Sequence, residues 1–124
     1  MKSKRAKATD IPYKVKERVW ERDKGRCVVC GNKFNVMPNA HFLPRGSKAG
    51  LGIEQNIVTL CMNCHFKMDN SKDRLIYLNI VKNYLIKCYP DWEQSYILAY
   101  KSLETHSNYW LKQMDKKLYY EKDK

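Results

Sequence analysis

The sequence predicts an α+β fold in one small domain, and three observations support this prediction. Two C-x-x-C pairs, Cys27/Cys30 and Cys61/Cys64, occur in a chain of 124 residues that has 5 cysteines. Short apolar runs that are typical of strands lie between the two pairs. Apolar residues recur at helical spacing before the first pair and after the second. A chain of this length suits one domain with appendages.

The chain is strongly basic, with 24 Lys and Arg residues against 13 Asp and Glu residues and a formal net charge of +11. This charge predicts a partner rich in phosphate, and the alternative is a basic surface that serves only solubility. No apolar run is long enough to span a membrane, and no apolar segment of a secretory signal follows the charged N-terminus. We therefore expect a cytoplasmic protein whose thiols stay reduced.

The N-terminal part of the chain is predicted to form a basic arm and one helix. Residues 1–10 lack periodicity, which indicates a mobile arm that contacts phosphates or is merely solvated. The segment Asp10-Ile11-Pro12 favours a helix start, and apolar residues at positions 11, 15 and 19 define one face. Gly25 is expected to end this helix. The opposite face adds basic residues to this part of the chain, namely Lys14, Lys16, Arg18 and Arg22.

Between the cysteine pairs, the sequence predicts a hairpin, a glycine-rich loop and one further apolar run. Residues 34–36 and 40–43 are predicted to be two short strands that turn through Met37-Pro38-Asn39. Residues 46–52 contain three glycines, which indicates a flexible loop that runs past a bulky feature. Residues 57–60 are apolar, and residues 62–70 are expected to form a short helix.

Three amphipathic segments are predicted after residue 70. Positions 75, 78, 81, 85 and 88 are apolar, which predicts a helix of about four to five turns that Tyr89-Pro90 breaks. Cys88 is interpreted as a small core residue. Asp91 is expected to cap a second helix with an aromatic face, and a third segment follows around residues 110–118. We therefore expect residues 71–124 to form a helical extension that packs on the core, forms a homodimer or binds another protein.

The two cysteine pairs predict a structural zinc site. Zinc prefers four tetrahedral ligands in such sites, and thiolates suit it. Each pair would chelate through a tight turn, and the 30 residues between the pairs leave room for a further substructure. A closed shell of four cysteines has no open position, so this metal is expected to stabilise the fold rather than catalyse. The alternative is four unrelated buried thiols. The predicted ligands are Cys27, Cys30, Cys61 and Cys64.

A second group of polar residues indicates a hydrolytic site. His65 follows Cys64 and points about 100° around the predicted helix from it, so it faces away from the zinc. Asp69 shares a helix face with His65, and the pair chelates a divalent ion or forms only a surface hydrogen bond. His41 could project from its strand toward this helix as a general base. Asn56 could bond across the glycine-rich loop or serve as a cap or turn residue.

Together, these motifs resemble the HNH endonucleases, and in particular small phage-associated members. The resemblance covers roughly residues 12–70. It implies a ββα-metal finger that hydrolyses DNA phosphodiester bonds. The residues that carry it are Cys27-x-x-Cys30, His41-x-x-Pro44, Gly50-Leu51-Gly52-Ile53-Glu54-Gln55-Asn56, and Val58-x-Leu60-Cys61-x-x-Cys64-His65.

The resemblance also implies roles for single residues. His41 would activate water, Asn56 would orient the loop that bears this base, and His65 would bind a catalytic metal together with Asp69. Mg²⁺ or Mn²⁺ suits such a site, and Ni²⁺, Co²⁺ or Zn²⁺ are options because one ligand is a histidine. The expected partner is duplex DNA rather than a single strand, and the enzyme is expected to nick it with little sequence preference. A phage or host protein is the other expected partner, bound through residues 71–124. The residues expected to contact its phosphates are Arg45, Lys48 and Lys67.

One position departs from the family pattern. HNH endonucleases usually carry a metal-binding His or Asp just before the general base, and this chain has Ala40 there. The metal is then held by His65 and Asp69 alone, or His41 becomes a ligand, or the enzyme is weak or inactive. The alternative function is a catalytically silent zinc module that binds nucleic acid or inhibits another nuclease.

Overall fold

A computed structural model describes residues 8–44 and 50–92 of the chain. Two strands and three helices follow one another, and the strands form an antiparallel sheet, which confirms the predicted α+β class. The features predicted for Arg45, Lys48 and residues 93–124 lie outside the described residues. The elements are α1 (Tyr13–Asp23), β1 (Val36–His41), β2 (Ile57–Cys61), α2 (Met62–Asn70) and α3 (Arg74–Cys88).

The predicted hairpin over residues 34–43 is wrong. The segment Met37-Pro38-Asn39 lies inside β1, and the partner strand is β2, with Val36 opposite Cys61 and His41 opposite Ile57. Proline has no N–H to donate to a neighbouring strand, so strands tolerate it at edges and bulges. Among the residues that the structure describes, the sheet has two strands, and its register is irregular between Met37 and Ala40. Both conditions accommodate Pro38 within the strand.

Each face of the sheet packs against different helices. On one face, Ile57 packs with Val15 and Val19 of α1. Because side chains alternate along a strand, the next residue of β2, Val58, faces the opposite side. There, a larger cluster joins the sheet to α2 and α3, and it includes Ala40, Val58, Leu60, Cys64, Met68, Val81 and Leu85.

The helices follow the sequence predictions closely at their ends and less closely on their faces. Helix α1 ends at Asp23, and the chain turns away through Lys24 and Gly25, which both have a positive φ. The Gly25 N–H donates to the Trp20 carbonyl at 3.0 Å, in agreement with a helix end at this glycine. Helix α3 has 15 residues, which confirms the predicted length. The predicted apolar stripe of α3 is only partly buried, because Leu75 is 75% exposed and Cys88 is half-buried. None of the described helices is long and apolar enough to cross a membrane.

The glycine-rich segment is packed rather than flexible over its described part, residues 50–52. A Cβ at Gly50 would collide with the Leu43 carbonyl, and one at Gly52 would collide with the Asp10 carbonyl. The Gly52 N–H donates to the Ala8 carbonyl at 2.9 Å. Both glycines therefore permit close backbone contact. The predicted mobile arm over residues 1–10 is wrong for its last residues, because Thr9 is buried and Ala8 packs against the core.

A buried carboxylate at the end of α1 connects three elements. The Asp23 side chain is fully buried and accepts hydrogen bonds from Arg22 Nε at 2.7 Å and from the Tyr84 hydroxyl at 2.6 Å. It also accepts a bond from the Thr59 N–H at 2.8 Å. Burial raises the pKa of Tyr84, and the hydrogen bond to Asp23 raises it further. Asp23 thus ties α1 to β2 and α3.

The prediction of an outward basic face on α1 is wrong for Arg18 and Arg22. Arg22 is largely buried and donates to the carbonyls of Glu54 and Ile57 at 2.7 and 2.6 Å. Burial acts to lower the pKa of Arg22, but its bond to Asp23 and the charge of Asp23 outweigh this and raise the pKa. Arg18 contacts the Glu54 carboxylate at 2.6 Å. These two arginines hold the segment before β2.

Candidate functional site

The four predicted zinc ligands form one cluster. The Sγ atoms of Cys27, Cys30, Cys61 and Cys64 all lie within 4.8 Å of one another. The Cys30 and Cys61 sulfurs are 3.7 Å apart. Tetrahedral zinc with Zn–S bonds of about 2.3 Å separates its sulfur ligands by about 3.8 Å, so the spacing fits a metal. Within residues 8–44 and 50–92, this is the only group of three or more potential metal ligands.

Two tight turns build the cysteine cluster from distant parts of the chain. In the first turn, the Gly31 N–H donates to the Cys27 carbonyl at 2.8 Å, and Gly31 has a φ of 77° that glycine adopts readily. In the second turn, Cys61 precedes α2, and its sulfur accepts the Cys64 N–H at 3.4 Å. The cluster therefore joins the end of β2 and the start of α2 to the turn that follows α1.

The thiols of the cluster have different acidities. Burial acts to raise the pKa of Cys27, but backbone N–H groups around its sulfur outweigh this effect and lower the pKa to about 7. Burial raises the pKa of Cys64, and so does its contact with Cys61. Four thiolates this close would repel one another, so a cation is needed to keep them all ionised. Zinc would supply that charge, and the residues present fit a structural zinc.

Asn56 is fully buried, and its side chain closes the connection between β1 and β2. Its Oδ1 accepts the Leu43 N–H at 2.8 Å, and its Nδ2 donates to the carbonyls of Leu43 and Leu51 at 3.1 and 2.9 Å. The Phe42 N–H donates to the Asn56 carbonyl at 2.8 Å. The sequence allowed Asn56 either to bond across the loop or to serve as a cap or turn residue, and the structure shows the bond across the loop. The chain immediately after His41 is thereby held in place.

Replacement of Asn56 by alanine should destabilise the protein by about 3 kcal/mol or more. The change leaves the Leu43 N–H and two carbonyls buried without their partner, and each such group costs about 1–3 kcal/mol. Urea unfolding followed by circular dichroism measures the effect. Asn83→Ala is the matched control, because Asn83 is exposed on α3 and its loss should change stability by only about 0.5 kcal/mol. Equal midpoints for the two variants would contradict this role of Asn56.

The imidazole of His41 is held by a backbone carbonyl. Its Nε2 lies 2.9 Å from the Thr9 oxygen. A carbonyl can only accept, so Nε2 carries the proton, and Nδ1 of the neutral ring keeps the lone pair that a general base needs. His41 is the last residue of β1, and the contact described for its ring is with the segment before α1. The projection of His41 toward α2 stays a prediction.

His65 and Asp69 share one face of α2, as the sequence predicts. His65 Nε2 lies 3.3 Å from Asp69 Oδ2, and both side chains are partly exposed, at 34% and 44%. Cys64 is buried in the cysteine cluster, so the neighbouring His65 points elsewhere. In the described part of the chain, no third ligand joins this pair. Ala40 is buried in the core with Cys64 and offers no ligand atom.

Of the three residues predicted to contact DNA phosphates, one lies in the described part of the chain. Lys67 is half-buried on α2, two residues after His65. Arg45 and Lys48 fall in the segment outside the described ranges. Nothing in the sequence indicated that Thr9 belongs to this site, where its backbone oxygen holds His41. A backbone contact depends on the path of the chain and leaves no side-chain signal in the sequence.

Comparisons with protein-family models, with curated proteins and with solved structures give no match for this chain.

Proposed function

We propose that the protein is an HNH endonuclease that uses a divalent metal to hydrolyse DNA phosphodiester bonds, nicking duplex DNA with little sequence preference. The arrangement around His41 carries this proposal. Its Nε2 bonds to the Thr9 carbonyl, and Asn56 fixes the chain that follows it. A general base needs one tautomer and one orientation, and these contacts provide both.

In this proposal, Nδ1 of His41 accepts a proton from the water that attacks the phosphorus. The contact with the Thr9 carbonyl assigns a proton to Nε2, so in the neutral ring the lone pair is on Nδ1. General-base catalysis of this kind contributes about 10²–10⁴-fold to a rate. The cysteine cluster acts as scaffolding, because it ties α2 to the sheet that ends at His41.

His65 and Asp69 are the proposed ligands of the catalytic metal. Their atoms are close enough to chelate one ion, and their partial exposure leaves room for water and substrate oxygens. Bound Mg²⁺ or Mn²⁺ would supply positive charge beside the scissile phosphate and the leaving oxygen. Two protein ligands form a weak site, so we expect half-maximal activity only at high metal concentration.

A second candidate function follows from Ala40. Its side chain is fully buried in the core, so the position that usually supplies a ligand in the family supplies none here. A finger with only two ligands could bind DNA through its basic residues without cutting it. Such a catalytically silent module would retain the zinc cluster and the net charge of +11 but would not cleave DNA.

Replacement of His41 by alanine should lower plasmid nicking by about 10²–10⁴-fold, because the water then loses its base. Supercoiled plasmid is incubated with the zinc-loaded protein in the presence and absence of added Mg²⁺ or Mn²⁺. His65→Ala is compared in a metal titration, where it should raise the metal concentration needed for half-maximal rate. Zinc content and thermal midpoint are measured for each variant to show that it is folded.

Each other outcome has a definite meaning. Equal nicking by the wild type and His41→Ala would show that His41 is not the base. Salt-dependent DNA binding without nicking would favour the silent nucleic-acid-binding module. Absence of DNA binding even at low salt would favour a protein-binding function such as inhibition of another nuclease.

A further inference from the structure

We infer that a groove between α3 and the chain that leaves β1 binds the sugar-phosphate backbone of DNA, with Arg74 and Lys82 as phosphate contacts. The inference rests on the proposed function, because it names a part of the substrate site. Neither residue belongs to the cysteine cluster or to the His65–Asp69 pair.

The groove adjoins the chain that follows the proposed base in sequence. One wall is formed by residues 42–44, which follow His41 directly, and the other wall is one side of α3. Its volume is ≈ 330 Å³. Asn56 fixes the first wall through Leu43, so the groove and His41 are parts of one rigid segment.

The chemistry of the lining favours a polyanion. Arg74 and Lys82 both line the groove, and among the described residues that form it none is acidic. Arg74, Leu78 and Lys82 recur at intervals of four, so they share one side of α3. Arg74 and Lys82 are about 12 Å apart along the helix axis. Phosphates of one strand repeat about every 3.4 Å along the duplex axis, so the two cations reach different phosphates.

The apolar part of the groove fits sugars better than bases. Pro44, Leu75 and Leu78 line it, and these side chains can contact the apolar faces of deoxyribose. The only aromatic lining residue among those described is Phe42, which is 5% exposed and cannot serve as a stacking platform. Contacts to sugar and phosphate carry no sequence information, which agrees with cutting at little sequence preference. An apolar peptide would leave both cations without a counter-charge.

The test measures DNA binding separately from cutting. Binding of a fluorescent duplex is followed by anisotropy across a salt series, using zinc-loaded full-length protein that carries His41→Ala to prevent nicking. Arg74→Gln and Lys82→Gln are introduced together. The matched control is Lys33→Gln with Lys87→Gln, which removes the same charge from two exposed positions outside the groove. A second pair, Arg74→Lys with Lys82→Arg, keeps the charge in the groove.

The groove variant should show a shallower salt dependence than the other proteins. Loss of two phosphate contacts should lower the magnitude of the slope of log affinity against log salt by about 1.8. Between about 50 and about 200 mM salt, the protein with only His41→Ala should therefore lose about tenfold more affinity than the groove variant. The loss of binding should be the same for unrelated duplex sequences. The charge-keeping pair should bind like the unsubstituted protein, and the Lys33 and Lys87 control should retain its slope.

Failure of this inference can be told apart from failure of the proposed function. Equal slopes for the groove variant and the control would overturn the inference, even if the wild type nicks plasmid. A reduced slope in the groove variant alone would support it, even if the wild type never nicks. Tight binding of an uncharged apolar peptide, with no competition by DNA, would also overturn it.

Discussion

Replacement of Cys64 by serine should unfold the protein at 25 °C. Zinc binding in zinc-finger peptides contributes about 10–16 kcal/mol, whereas the net stability of a whole domain is about 5–15 kcal/mol. Cys64 is 3% exposed and belongs both to the metal cluster and to the core that joins the sheet to α2 and α3. A serine hydroxyl is a poor zinc ligand, so the change removes the metal and leaves a buried polar group.

Cys88→Ser is the matched control for this experiment. Cys88 is half-buried near the end of α3 and lies outside the cluster, so its replacement should change stability by about 1 kcal/mol or less. Circular dichroism melts and the zinc content per chain are measured for both variants. A folded Cys64→Ser protein that still binds one zinc with unchanged midpoint would contradict the assignment of this ligand.

Acid should release the zinc, because protons compete with the metal for the thiolates. Zinc binds thiolates, so metal binding must displace protons from the cluster. The pKa of Cys27 is about 7, whereas burial raises that of Cys64, so protonation competes with zinc increasingly as the pH falls. The thermal midpoint of the zinc-loaded protein should therefore decrease on acidification, and zinc should appear in the filtrate over the same pH range.

Replacement of Asp23 by alanine is the second large effect, with an expected loss of about 3–5 kcal/mol in the free energy of unfolding. The change leaves the buried Arg22 guanidinium without its carboxylate, and removing one partner of a buried ion pair has about this cost. It also leaves the Thr59 N–H and the Tyr84 hydroxyl without their acceptor. Urea unfolding measures the loss.

Tyr84→Phe is the graded control for Asp23. It removes one hydrogen bond to the carboxylate and keeps the ion pair, so it should cost about 1 kcal/mol. Arg22→Met together with Asp23→Leu removes both charges and should recover part of the loss, because no buried charge is then unpaired. If Asp23→Ala cost no more than Tyr84→Phe, the carboxylate would not be the connection that we describe.

The four-cysteine cluster and the helices could be predicted because their signals are local. A C-x-x-C pair specifies a chelating turn within four residues, and two such pairs have few other structural uses. Gly25 and Pro90 mark helix ends by their own backbone preferences. The β1–β2 pairing could not be predicted in this way. Met37-Pro38-Asn39 has turn chemistry, and only the register with β2 shows that the segment is extended.

The buried polar residues could not be predicted for a different reason. Arg18 and Arg22 each follow a buried valine by three residues, so they border the apolar stripe of α1, but a charged side chain at such a position is usually solvated. The segment before β2 covers them instead, and Glu54 meets Arg18 across 36 positions of sequence. Helical periodicity describes one helix and carries no information on which other segment packs against it. The side of the sheet on which His41 emerges depends on strand register in the same way.

We expect four sulfur atoms to bind one zinc ion and so to hold α2 against the sheet. X-ray absorption at the zinc edge, measured on the protein as purified, reports the ligand atoms directly. We expect one zinc per chain with four sulfur neighbours at about 2.3 Å. A shell that contains nitrogen, or a folded chain that carries no metal, would contradict the account.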